Sequence, residues 1–249
     1  MTKQRLYIEN NLQSRPLLLG LRWLFENTLS SGYLAVNVKK SIDITLKPAL
    51  GEAIVRELKK SNKFSHMGKT FYLEFGDNTF FNIQGPLLVV YPKKRLLDII
   101  DDSDVDGDIL VVPWRMEDVN DWINTWGADK IIENGIVRGK QEFSLSRFTQ
   151  IALEDLTSIV NLSNELATYR DESDAIVVLK TLVESGESLN PDTVKSFLKS
   201  RGWGSKGANR AAEIIQKLGM GKRLRCRDSG LEPRHLLKYW NEQLNKSQE

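Results

Sequence analysis

The spacing of apolar residues changes character partway along this chain. Leu17, Leu18, Leu21, Leu24 and Phe25 recur at helical intervals, and that run ends near Ser30 to Gly32. "YLAVNV" from Tyr33 reads as a strand, and Leu46, Ala49, Leu50, Ala53, Ile54 and Leu58 mark one face of a second helix. In "KTFYLEFGDNTFFNIQ" a Gly-Asp-Asn turn at Gly76 to Asn78 separates two β-rich runs, which predicts a hairpin. "GPLLVVYP" and "GDILVVPW" are continuous aliphatic runs. Each leads into a helical pattern: Leu96, Leu97 and Ile100 after the first, Met116, Val119, Ile123 and Trp126 after the second. Strands apolar on both faces, alternating with helices, require cover on both sides. The expectation for residues 1–140 is an α/β sandwich with a mostly parallel sheet and the hairpin at one edge.

After Val137 the pattern becomes helical. "RGKQEFSLS" from Arg138 is polar and aperiodic, so residues 141–170 read as a linker and a connecting helix, its apolar positions running from Phe148 to Leu166. Residues 171–249 read as a separate, mainly helical domain. Ala175, Val178, Leu179, Leu182 and Val183 give one helix, with acids in its first turn where the helix dipole favours them. Asn190 followed by Pro191 is a strong start signal for the next, with Val194, Phe197 and Leu198 buried. Gly202 to Gly204 break it. Ser205 is then expected to cap a third helix over Ala208, Ala211, Ala212, Ile215 and Leu218, with Gly219 as its stop. "KRLRCR" alternates Arg223, Arg225 and Arg227 with Leu224 and Cys226, which predicts a strand, paired with "ESL" at Glu187 to Leu189.

Composition narrows the class. The chain has 249 residues, 41% hydrophobic and 27% charged, as in ordinary globular proteins. Its best apolar run, "PLLLGLRWLF", is broken by Arg22 and falls short of the ~18 residues of a membrane span. Met1 to Asn11 is polar, without a signal-peptide pattern, and the lone Cys226 forbids an internal disulfide. A cytoplasmic protein without membrane contact is expected. The net charge of +2 hides a local concentration: residues 190–227 carry ten Lys and Arg against two acids. A field of that kind attracts polyanions.

Familiar catalytic signatures are missing. There is no dinucleotide fingerprint, phosphate-binding loop or Gly-x-Ser-x-Gly elbow, and His66 and His235 have no metal-ligand spacing. "DDSDVDGD" fits Asp102, Asp104 and Asp106 to the first odd positions of a calcium loop, but Pro113 stands where the bidentate Glu belongs. The stretch reads as a solvated acidic connection. Its alternative is a Mg²⁺ site that would recruit Glu74 or Asp77. Trp114, Trp122 and Trp126 read as core aromatics, and no cofactor is implied.

The order of helix, short strand, two helices joined by a tight turn and a basic strand resembles the broad winged helix-turn-helix superfamily, over about residues 171–230. In that frame Lys206, Asn209, Arg210, Glu213 and Lys217 form one exposed stripe of the third helix. Arg210 would grip guanine and Asn209 adenine. Ser205 and the helix start would hold a phosphate. Lys222, Arg223, Arg225 and Arg227 would follow the flanking backbone or minor groove, and Cys226 would be a small hydrophobe beneath the wing. Six such phosphate contacts would give a salt slope of about −5. The resulting expectation is a non-enzymatic protein that binds duplex DNA, its α/β domain sensing a signal, dimerising or recruiting a partner. Self-association could run through that domain or through the 148–167 helix. The alternatives are a Mg²⁺-dependent nucleic-acid-processing enzyme and a protein-assembly subunit.

Overall fold

The computed structural model describes residues 3–9, 15–76, 80, 82–132, 135–226 and 229–247. The chain divides into two compact units, Met1–Gln141 and Glu142–Glu249. It is a mixed α/β protein: a mostly parallel sheet with helices, followed by a helical region.

The first unit runs β1 (Arg5–Ile8), α1 (Pro16–Asn27), β2 (Ser31–Val36), α2 (Ile42–Thr45), α3 (Lys47–Leu50), α4 (Glu52–Ser61), β3 (Lys63–His66), β4 (Lys69–Phe75), β5 (Leu87–Val90), α5 (Lys94–Asp101), β6 (Ile109–Val112), α6 (Asn120–Trp126), β7 (Asp129–Ile132) and β8 (Gly135–Val137). The sheet order is β3-β4-β2-β5-β6-β1-β7-β8, with only the β3–β4 and β7–β8 pairs antiparallel. The two aliphatic runs become β5 and β6, side by side in the middle, and every residue of both is buried. Alternate residues feed opposite layers. Leu88, Val90, Leu110 and Val112 pack with α1 and α4 on one face; Leu87, Val89, Ile109 and Val111 pack with α5 and α6 on the other.

Three predicted elements come out differently. The helix expected over residues 46–58 is interrupted, because Gly51 at φ 84° separates α3 from α4. The edge hairpin lies one element earlier than its Gly-Asp-Asn signal. It is β3–β4, closed by Met67 and Gly68 at φ 47° and 74°, the two positive angles that a type I′ turn needs. Asp77 and Asn78 lie outside the described residues. Ile83, expected in the return strand, makes only an isolated parallel bridge to Val105. Trp122 is buried and Trp126 partly so, but Trp114 is exposed, in T-shaped contact with Tyr91.

The second unit consists of α7 (Arg147–Ile159), α8 (Tyr169–Glu184), α9 (Pro191–Ser200), α10 (Ser205–Gly219) and α11 (Pro233–Lys246). Its core takes Ile151, Leu153 and Leu156 from α7 together with Val178, Leu182, Phe197, Ala211, Ile215 and Trp240. The α7 segment, read from sequence as part of a connector, is thus built into this core. Indole N–H groups tie α7 to its neighbours: Trp203 donates to Thr157 Oγ1 at 2.9 Å, and Trp240 donates to Asp155 Oδ2 at 2.8 Å.

Helix ends follow local chemistry. Asn190 Oδ1 accepts from the Thr193 N–H at 3.0 Å, with Pro191 opening α9. At the start of α8, Thr168 Oγ1 accepts from the Asp171 N–H at 3.2 Å and donates to Asp171 Oδ2 at 2.8 Å. The cap of α10 is Gly204, one residue before the expected Ser205, which is buried in the first turn. Its stop is Gly221, not Gly219: Gly221 at φ 69° donates to Leu218 O and Lys222 to Lys217 O, both at 2.9 Å, the paired bonds of a Schellman motif. The α9–α10 turn repeats the device, with Gly202 at φ 89° and bonds to Lys199 O and Leu198 O.

The basic stretch does not form the predicted strand. Residues 222–226 carry no regular structure, and among the described residues the second unit has no strand at all. Glu187, in the expected pairing partner, instead accepts from the hydroxyls of Ser146 and Thr149. Without a neighbouring strand the alternation has nothing to pair with. Leu224 is half-buried against the core, whereas Cys226 is exposed, not tucked under a wing.

Candidate nucleic-acid interface

The third-helix stripe exists, but acids sit among its cations. Arg210 donates through Nε and Nη2 to Glu172 Oε1 at 3.0 and 2.5 Å, and through Nη1 to Glu213 Oε2 at 3.1 Å. The hydrogen bond to Glu172 is the main cause that raises the Arg210 pKa, overcoming the opposing effect of burial. A guanidinium held this way is a strut between α8 and α10 and has no free fork for guanine. Lys206 and Lys217 differ. Their ammonium groups lie 3.7 Å from Glu165 and Glu213, respectively. Loose pairs at a surface are worth little, so a phosphate can displace them. Asn209 is half-buried beside Arg210.

Lys222, Arg223 and Arg225 are exposed, and among the described residues none of them has an ion-pair partner. The Schellman bonds fix where this segment leaves α10, and Leu224 anchors it to the core. Arg227 lies outside the described residues.

Arg225 also borders a cleft of about 340 Å³ between α8, α10 and the basic segment. Ile176 and Ile214, both buried, and the half-buried Leu224 form its apolar part; the Glu172–Arg210 pair, Lys217 and Arg225 supply charge. Tyr169, the first residue of α8, stands at its mouth, 82% exposed. The cleft was not legible in the sequence, because its two helices lie far apart along the chain. Arg210→Ala removes the strut and should lower stability by about 1 kcal/mol, the net worth of a partly exposed charged hydrogen-bonded pair. Urea denaturation would measure it.

The aspartate stretch in the first unit has a structural explanation. Asp101 Oδ1 accepts from the indoles of Trp122 and Trp126 at 3.0 and 3.1 Å, while Arg5 stacks on Trp126. Asp108 Oδ1 accepts from the Gln4 N–H at 2.8 Å. Backbone bonds join Asp104 and Asp106 to Ile83, and a Cβ on Gly107 would stand 2.0 Å from the Gly85 carbonyl oxygen, so two loops meet there backbone to backbone. The carboxylates of Asp102, Asp104 and Asp106 belong to exposed residues. Among the described residues no group of three or more His, Cys, Asp and Glu is arranged to hold a metal ion. Asp104→Asn with Asp106→Asn should therefore change stability by no more than about 0.5 kcal/mol, with or without added Mg²⁺. A Mg²⁺-dependent rise in melting temperature that this double variant abolishes would contradict the assignment.

A family model described as a domain of unknown function, DUF1889, matches residues 145–241, from just before α7 into α11. A crystal structure of a protein from Salmonella typhimurium is 25% identical, covering 41% of this chain and 95% of that one, with a TM-score of 0.32. No curated protein matches this chain.

Proposed function

We propose that the second unit binds nucleic acid by its phosphates. The observation that carries this reading is the exposed segment Lys222, Arg223 and Arg225, fixed to the end of α10 and unpaired among the described residues. It lies in a stretch with ten basic and two acidic residues. Lys206 and Lys217 add donors from the helix, while Arg210 is committed to Glu172 and Glu213. Phosphate contact therefore takes precedence over base-edge readout by α10, and affinity should depend weakly on sequence. The α/β unit is the part left for sensing, self-association or partner recruitment.

We place the protein in the cytoplasm, where nucleic acid is at hand and Cys226 stays reduced; among the described residues no helix is long and apolar enough to cross a membrane. Titrating labelled oligonucleotides with the full chain at low salt tests the reading. Saturable retardation in gel-shift assays, similar across unrelated sequences, is expected. No retardation of any oligonucleotide would refute it.

A further inference from the structure

We propose that the cleft behind Tyr169 receives an unpaired base, making the ligand of this unit single-stranded nucleic acid. The inference rests on the nucleic-acid reading above and adds the strandedness of the ligand. At about 340 Å³ the cleft falls at the low end of the roughly 300–1,000 Å³ of small-ligand sites. Its chemistry changes from inside to outside as a nucleotide does. The buried Ile176 and Ile214 meet the faces of a flat ring, and Lys217 and Arg225 at the rim stand where the adjoining phosphate would lie.

The Glu172 carboxylate also lines the cleft. Arg210 occupies its Oε1, and Oε2 accepts no hydrogen bond from the described residues, which leaves an acceptor for a base amino group. Tyr169 supplies the remaining element. An aromatic ring left 82% exposed contributes little to the core, but it offers a stacking face to a base at the mouth. A base within a duplex is already stacked and paired, so entering the cleft requires extrusion, whereas a single strand avoids that cost.

DNA and RNA strands share this chemistry, and parallel arms separate them. Fluorescence anisotropy at low salt would compare the full chain on a single-stranded DNA of about 12 nucleotides, its RNA equivalent, the blunt DNA duplex and an abasic strand, a length within the roughly 4–16 nucleotides of single-strand sites. The expected result is single-strand binding at least about tenfold tighter than duplex binding. Tyr169→Ala should weaken it by roughly 5- to 150-fold, the range for losing one stacked base. The same change should leave duplex and abasic binding as they were, and Tyr169→Phe should restore most of the loss. Duplex binding as tight as single-strand binding, or a Tyr169→Ala variant with unchanged single-strand affinity or equal losses on every ligand, would overturn the cleft assignment while leaving the phosphate reading in place. Failure of every ligand to bind the parent chain would overturn both.

Discussion

Replacing Lys222, Arg223 and Arg225 together by glutamine should weaken oligonucleotide binding roughly 100-fold at low salt. A basic residue close to an anionic surface contributes about 1 kcal/mol, and three such terms convert to about that factor. The salt slope should flatten by about 2 units, from about 0.7 per phosphate contact on a single strand. Nothing in the fold needs these charges. All three side chains are exposed, and the anchor of the segment is Leu224 with the backbone bonds of Gly221 and Lys222. Stability should stay within about 0.5 kcal/mol of the parent, which circular dichroism during thermal melting would verify. Folded protein that binds as before would show that this segment is only a solvated surface.

Trp240→Ala should have the largest effect on stability. Trp240 is fully buried, packs edge-on to Phe148 with centroids 5.8 Å apart, and hydrogen-bonds Asp155. It ties α11 to α7 by both packing and a hydrogen bond. Truncating a buried Trp leaves a cavity and costs about 3–5 kcal/mol, much of what a small unit has to lose. The transition of the second unit should fall by at least about 12 °C. Trp240→Phe retains the ring against Phe148 but leaves Asp155 without its indole donor, so a loss of about 1–2 kcal/mol is expected. Differential scanning calorimetry of both variants separates packing from hydrogen bonding. An unshifted transition in Trp240→Ala would mean that α11 is not integral to the unit.

What the sequence made legible was whatever short-range chemistry controls. β5 and β6 were visible because burial on both faces demands unbroken aliphatic runs, and α9 because Asn190 and Pro191 act on their own turn. β1 was not. Its alternation of Arg5, Leu6, Tyr7 and Ile8 is only four residues long, and its central place depends on β6 and β7, more than a hundred residues away. β3 was hidden for another reason: at the sheet edge only Phe64 of its four residues is buried. The basic segment shows the converse error. Period-two alternation is necessary for a half-buried strand but does not supply the neighbour that a strand must bond to.

The layout of the candidate basic face was legible in part. Lys206, Arg210 and Lys217 do share a face of α10, as their spacing requires, and Lys222, Arg223 and Arg225 are exposed. The neutralising partner of Arg210 could not be foreseen, since Glu172 lies 38 residues earlier and reaches it only through the packing of α8 on α10. That contact turned a supposed base reader into a strut, and it also builds one wall of the cleft.

The central claim, that this unit holds nucleic acid by its phosphates, is tested most directly by the salt dependence of affinity for the unmodified chain. With Lys206, Lys217, Lys222, Arg223 and Arg225 each meeting a phosphate, log Kd should rise linearly with log salt at a slope of about 3.5 on a single strand. A salt-independent Kd, or no measurable binding even at the lowest salt, would contradict the account.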